Sequence, residues 1–153
     1  MSKYLLLFSA ALLITLTSFT LTEKKGEDKK INWLSLDEAY ELNQKEPRKI
    51  FIDVYTNWCG WCKKMDKDTF QDPKVVEFVN ENFYAVKLNA EDTQKFEFAG
   101  DETTPQMIAR SMGVRGYPSI VYMKEDFKTI HVVSGYQKPD NFLQNLKNVL
   151  AWK

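Results

Sequence analysis

The chain has 153 residues and two cysteines, and its 21 basic residues balance its 21 acidic ones. This length predicts one domain with a substantial hydrophobic core, and the balanced charge argues against a nucleic-acid partner. Two cysteines are too few for a small fold that is held together by several disulfides.

The N-terminal segment has the pattern of an export signal. Residues 4–16 are almost wholly apolar, follow Lys3, and precede a charged stretch that begins at Glu23. This order is typical of a cleaved signal peptide. The alternative is an uncleaved membrane anchor, because the apolar run lies at the short edge of the length that spans a bilayer. The predicted signal, linker and single domain occupy residues 1–22, 23–31 and 32–153.

The first half of the domain predicts a helix, a strand, two helices and a second strand. Ser35 and Glu38 form a capping box that begins a helix running to about Glu46. Asp72 and Pro73 are typical of the first residues of a helix. The other predicted elements are a strand over 50–55, a helix from Gly60 that breaks near residue 70, and a strand over 84–89.

The second half begins with a polar segment over 92–103, which is predicted to be irregular. A short helix over 104–112, strands over 118–123 and 129–134, and a last helix from Pro139 follow. The order of the elements predicts an α/β fold, a three-layer α/β/α sandwich with helices on both faces of a mixed central sheet.

Cys59 and Cys62 lie one turn apart at the start of a predicted helix. The unpaired N–H groups at a helix N-terminus acidify a thiol, and a second thiol one turn away can form a disulfide with it. The spacing alone also fits a metal site. Zinc, however, needs four ligands, and the single histidine, His131, lies on a distant predicted strand. We therefore expect redox chemistry, with no metal and no cofactor.

Four ordered motifs resemble the thioredoxin family, and together they cover about residues 32–152. The motif around the cysteines, Trp-Cys-Gly-Trp-Cys-Lys-Lys-Met, is similar to that of an exported bacterial subgroup and to the C-terminal domain of the membrane electron transporter DsbD. The resembling segments are 51–63, 86–89, the cis-proline loop at 113–119, and Gly135.

The resemblance implies roles for four residues. Cys59 would be the attacking nucleophile and Cys62 the resolving thiol. Asp53 would be the buried acid that relays a proton, and Lys87 the lysine beside it. From the residues themselves, we expect Cys59 to be more exposed than Cys62 and the pKa of Asp53 to be raised by burial. The alternatives are a structural ion pair for Asp53 and an exposed edge position for Lys87.

A substrate surface is implied next to the thiols. A cis bond before Pro118 would aim the backbone of Tyr117 at an extended substrate. Trp58, Gly60 and Trp61 complete the expected substrate-binding residues, although either tryptophan could instead be a core residue.

The chain departs from the family pattern in two places. Trp61 replaces the usual proline between the cysteines, and the intervening pair tunes the redox potential. Residues 92–112 are longer than the matching stretch of a minimal thioredoxin. We interpret them as an insertion that either shapes partner choice or is inert surface.

We expect an exported, periplasmic or otherwise extracytoplasmic thiol–disulfide oxidoreductase that reduces disulfides in protein substrates. A membrane electron donor is implied, and the chain itself meets the membrane only if its N-terminal segment stays uncleaved. One alternative is an oxidase or isomerase of secreted-protein disulfides. Another is a non-catalytic module whose thiols bind a partner or a soft metal such as Cu(I).

Overall fold

The computed structural model describes residues 30–152. The predicted signal and most of the linker lie outside this range. The helices are α1 (Leu36–Lys45), α2 (Gly60–Asp68), α3 (Pro73–Asn82), α4 (Pro105–Ser111) and α5 (Pro139–Leu150). The strands are β1 (Trp33–Leu34), β2 (Lys49–Tyr55), β3 (Phe83–Asn89), β4 (Phe96–Phe98), β5 (Asp101–Thr103), β6 (Ser119–Met123) and β7 (Ile130–Ser134). Within the described range, no helix is both long and apolar enough to cross a bilayer.

Five strands form the central sheet in the order β1-β3-β2-β6-β7. The first three run parallel to one another, and β6 and β7 are each antiparallel to their neighbour. Side chains of α2, α3 and α5 pack on one face of the sheet, and those of α1 and α4 pack on the other. The predicted three-layer sandwich with a mixed sheet is therefore confirmed.

The alternation of side chains along β2 determines on which face of the sheet Asp53, the one acid of this strand, lies. Ile50, Ile52 and Val54 belong to the core under α1 and α4, whereas Phe51 belongs to the core under α2, α3 and α5. Successive side chains of a strand point to opposite faces, so Asp53 shares the face of Phe51. The buried carboxylate thus lies on the side of the sheet that α2 covers.

The predicted helix starts are confirmed in detail. Ser35 and Glu38 make both hydrogen bonds of a capping box at the start of α1. At the start of α3, the Asp72 carboxylate accepts the backbone N–H groups of Lys74 and Val75, at 2.9 and 3.2 Å. Each cap satisfies helix N–H groups that lack a partner within the helix.

The structure differs from the sequence prediction in the segment 92–103. Strands β4 and β5 form an antiparallel hairpin there. Its turn residues, Ala99 and Gly100, both have positive φ, which is the backbone shape that a tight hairpin requires. Phe98 at the hairpin packs edge-on against Tyr40 and tilted against Phe127. The insertion therefore consists of a hairpin followed by α4. The short strand β1 was also missed.

Candidate active site

The two cysteines form a disulfide at the N-terminus of α2. Cys59 is the N-cap residue of this helix, in an extended conformation, and its Sγ accepts the backbone N–H of Cys62 at 3.0 Å. The sulfur of Cys59 thus occupies the place that a capping oxygen takes in other helices. This is the position at which a helix stabilises a negatively charged sulfur.

The expected difference in exposure between the cysteines is absent, because each is only 4% exposed. The residues beside them are far more accessible, since Trp58 is 69% exposed and Trp61 is 59% exposed. Neither tryptophan is therefore a core residue. Each contacts a tyrosine on its own side of the disulfide, Trp58 with Tyr117 and Trp61 with Tyr136, at ring-centroid distances of 5.9 and 5.5 Å.

The loop that contacts Trp58 through Tyr117 carries the expected cis bond between Tyr117 and Pro118. The carbonyl of Pro118 accepts the N–H of Gly135 at 2.7 Å, and the hydroxyl of Ser119 donates to the carbonyl of Gly116 at 2.7 Å. These bonds fix the loop at both ends of the cis bond. Tyr117 is consequently held beside Trp58.

Asp53 and Lys87 lie opposite each other on β2 and β3. The Lys87 Nζ is 3.1 Å from Asp53 Oδ2, and Asp53 is only 2% exposed. Burial raises the pKa of Asp53 to about 6, and it outweighs the opposing effect of the Lys87 charge. Lys87 is therefore not an exposed edge residue, and the expected rise in the pKa of Asp53 agrees with its surroundings.

A second carboxylate, that of Asp66 on α2, also contacts Lys87. The Lys87 Nζ donates to Asp66 Oδ1 and lies about 5 to 6 Å from three aromatic rings. Burial lowers the pKa of Lys87, but the two carboxylates outweigh this and leave its pKa raised. The rings around the ammonium group are those of Trp33, Tyr55 and Phe70.

Sequence reasoning singled out neither Asp66 nor Tyr136. Asp66 lies one turn beyond Cys62, and an acidic residue at such a helix position is ordinarily a solvated surface group. Only the packing of α2 over β3 reveals its contact with Lys87. Tyr136 directly follows the glycine of a recognised motif, and that proximity is the one signal the sequence offers.

No group of three or more His, Cys, Asp or Glu side chains among residues 30–152 is placed to hold a metal ion. His131 lies on β7, where its ring meets that of Trp152 at a centroid distance of 6.2 Å.

Residues 36–150 match the family model of the thioredoxin-like domain. The chain belongs to the thioredoxin-like family. Cys59 and Cys62 form the Cys-x-x-Cys pair that is typical of a redox motif in this fold.

Individual relatives agree with this assignment. The thiol:disulfide interchange protein DsbD of Photorhabdus laumondii is 25% identical over 122 residues, which is 77% of this chain and 19% of that protein. The chain spans a fifth or less of the length of the curated relatives it matches.

Among solved structures, a thioredoxin from Thermus thermophilus superposes with a TM-score of 0.64 at 21% identity, covering 80% of this chain and 88% of that one. The oxidised C-terminal domain of DsbD from Neisseria meningitidis gives a TM-score of 0.55 at 21% identity, covering 72% of this chain and 89% of that domain. At these identities, the structural likeness establishes the fold.

Proposed function

We propose that this protein is an exported reductant of protein disulfides that cycles Cys59 and Cys62 between dithiol and disulfide. The observation that carries the proposal is the disulfide at the N-terminus of α2, in which Cys59 Sγ accepts the N–H of Cys62 at 3.0 Å. The same N–H group would stabilise a Cys59 thiolate in the reduced protein.

In the first step, the Cys59 thiolate attacks one sulfur of a substrate disulfide. A mixed disulfide forms between Cys59 and that sulfur, and the other substrate sulfur leaves as a thiolate that takes a proton from water. The N-cap position of Cys59 supports its role as nucleophile, since the two cysteines are equally buried.

In the second step, Cys62 releases the substrate. Its thiol gives a proton to the Asp53 carboxylate, and the resulting thiolate attacks the sulfur of Cys59. The Cys59–Cys62 disulfide forms, and the second substrate thiolate leaves. Two electrons have then passed from the protein to the substrate. A pKa near 6 suits Asp53 to exchange a proton near neutral pH, and Lys87 holds its carboxylate in place.

Substrate binding is assigned to the surface around the disulfide. The exposed rings of Trp58 and Trp61 offer apolar contact, and the Tyr117 backbone next to Pro118 offers pairing to an extended chain. Apart from its two chain neighbours and the backbone of its own helix, nothing lies within 4 Å of the place where a side chain on Gly60 would begin, so no other part of residues 30–152 covers this glycine.

Turnover as a reductant requires a donor that returns two electrons and two protons to the Cys59–Cys62 disulfide. Outside the cytosol, these electrons would come from a donor in the membrane. The apolar segment before residue 23 supports export, and the similarity to a thiol:disulfide interchange protein supports exchange between dithiol pairs.

Insulin reduction driven by dithiothreitol tests the activity. We expect turnover by the wild type, and none by Cys59→Ser. Reduced Cys62→Ser, mixed with insulin after dithiothreitol has been removed, should instead accumulate a mixed disulfide that is visible by mass spectrometry, because its first step is intact. An inactive wild type that binds one soft metal ion per chain would instead favour a metal-binding module.

A redox titration against dithiothreitol or glutathione tests the direction. A reductant should have a potential near the thioredoxin end of the family range, about −270 mV, whereas a value near −120 mV would indicate an oxidase. The intact mass of the protein recovered from its producing cells tests export, because a cleaved signal removes about 22 residues.

A further inference from the structure

A groove of about 400 Å³ opens beside the disulfide, on the side of Trp58 and Tyr117. These two rings form its near wall. The far wall is α4, which belongs to the insertion and contributes Gln106 and Arg110 one turn apart. A space of this size accommodates one or two side chains of an extended peptide, and it is too small for a folded element.

The charge on the far wall is available for a ligand. Within residues 30–152, no carboxylate lies within ion-pair distance of Arg110, and the side chain of Gln106 makes no hydrogen bond. The acid in the groove, Glu91, is already engaged, because its Oε2 accepts the backbone N–H of Asn57 at 2.8 Å. The groove therefore has an acidic end beside Trp58 and a basic wall on α4.

We propose that the α4 wall is a subsite for an acidic side chain next to the reacting cysteine of a substrate, with Arg110 as the residue that selects it. The proposal rests on the proposed function. Tyr117 lines the groove and directly precedes Pro118. A substrate strand paired to the Tyr117 backbone would therefore place a neighbouring side chain in the groove. A guanidinium group with free donors matches a carboxylate there.

Two pairs of short disulfide peptides test the proposal. In each pair, one residue beside the reacting cysteine is Asp or Asn, on the N-terminal side in the first pair and the C-terminal side in the second. We expect the wild type to reduce the Asp peptide of at least one pair about fivefold faster than its Asn partner. This preference should shrink with added salt, because salt screens exposed charges.

The variants are Arg110→Gln and Arg115→Gln. Arg115 is also exposed and lies in the loop before Pro118, but it does not line the groove. We expect Arg110→Gln to abolish the Asp preference by slowing reduction of the Asp peptide to the rate of its Asn partner. Arg115→Gln should keep the preference. Equal rates for both wild-type pairs, or an undiminished preference in Arg110→Gln, would overturn the proposal.

A binding measurement separates the groove from the redox function. Peptides in which serine replaces the cysteines cannot react, and their affinity for the oxidised protein can be followed through the backbone amide signals of α4 by NMR. The Asp peptide of the preferred pair should bind more tightly to the wild type than the Asn peptide, and equally in Arg110→Gln. This result would support the subsite even if no disulfide were reduced. Equal binding of both peptides to the wild type would refute it.

Discussion

Asp53 is a carboxylate whose ionisation opposes folding. Burial holds its pKa at about 6 in the folded protein, against 3.8 as the ordinary value, so the neutral form persists to higher pH in the folded than in the unfolded protein. The stabilisation that comes from protonated Asp53 is therefore complete below about pH 4 and is lost as the pH rises through about 6. A shift of this size corresponds to about 3 kcal/mol.

The variant Asp53→Asn should remove this pH dependence. Asn carries no charge at any pH, and Lys87 keeps its contact with Asp66. We expect the free energy of unfolding of Asp53→Asn, minus that of the wild type, to increase by about 3 kcal/mol as the pH rises from about 4 to about 7.5. Denaturant titrations of the oxidised proteins measure this difference, in which the other titrating groups cancel. A difference that stays constant with pH would contradict the prediction.

Asp66 should influence Asp53 through charge. Its carboxylate raises the pKa of Asp53, and it also competes for the ammonium group of Lys87. We expect Asp66→Asn to lower the pKa of Asp53, as followed by NMR titration of the Asp53 carboxyl carbon. The matched control is Asp68→Asn, because Asp68 lies on the same helix but pairs with Lys64.

The control should leave the titration of Asp53 unchanged. A rise in the pKa of Asp53 on changing Asp66 would mean that Lys87 leaves Asp53 once its second partner is lost, and it would contradict the prediction. The three rings around the ammonium group are the reason to expect Lys87 to stay.

Some residues of the site could be predicted from the sequence and others could not. Cys59 and Cys62 carry a spacing with its own chemistry, and Asp53 is conspicuous as the one acid in an apolar strand. No sequence pattern indicates a role for Asp66 or Arg110, because charged residues on helices are ordinarily solvated. Their contacts arise only when α2 packs over β3 and α4 closes a groove, and both are tertiary events.

At the scale of elements, α5 begins without the cap that the other long helices have. Its N-cap residue, Lys138, makes no side-chain hydrogen bond to the helix, whereas Asp72 caps α3 with two. Lys138→Ser would supply an acceptor and remove a positive charge from the positive end of the helix. We expect a gain of about 0.5 to 1 kcal/mol in the free energy of unfolding.

The matched variant, Asp72→Ala, should lose about 1 kcal/mol because it removes an existing cap. Both values come from denaturant unfolding at neutral pH. A loss of stability in Lys138→Ser would show that the aliphatic part of Lys138 makes packing contacts that outweigh a new cap.

The elements that sequence predicted best are those with a local start signal. The capping box of α1 and the Asp-Pro start of α3 depend on neighbouring residues alone. The β4–β5 hairpin was missed, because only Phe96 and Phe98 alternate with polar residues and Gly100 is the single turn signal. Strand β1 has two residues, too few for any period, and it exists because Trp33 and Leu34 pair with β3.

At the scale of the whole molecule, the sheet separates two cores, and Asp53 lies on the side of the one beneath α2, α3 and α5. Phe142 on α5 is fully buried in this core. Its ring lies 5.4 Å from those of Phe51 and Phe70 and 6.5 Å from that of Tyr122, between centroids. One side chain thus joins the last helix to β2, to β6 and to the segment after α2.

Phe142→Ala should therefore cost about 3 to 5 kcal/mol of free energy of unfolding, because a cavity remains where rigid neighbours cannot close in. The neighbouring Leu143 is only partly buried, at the surface between α3 and α5, so Leu143→Ala should lose clearly less. Denaturant unfolding of both oxidised variants measures the two losses. Equal losses would mean that α5 is held by its outer contacts rather than by the aromatic core, and that the core beneath the disulfide is not the main source of the protein's stability.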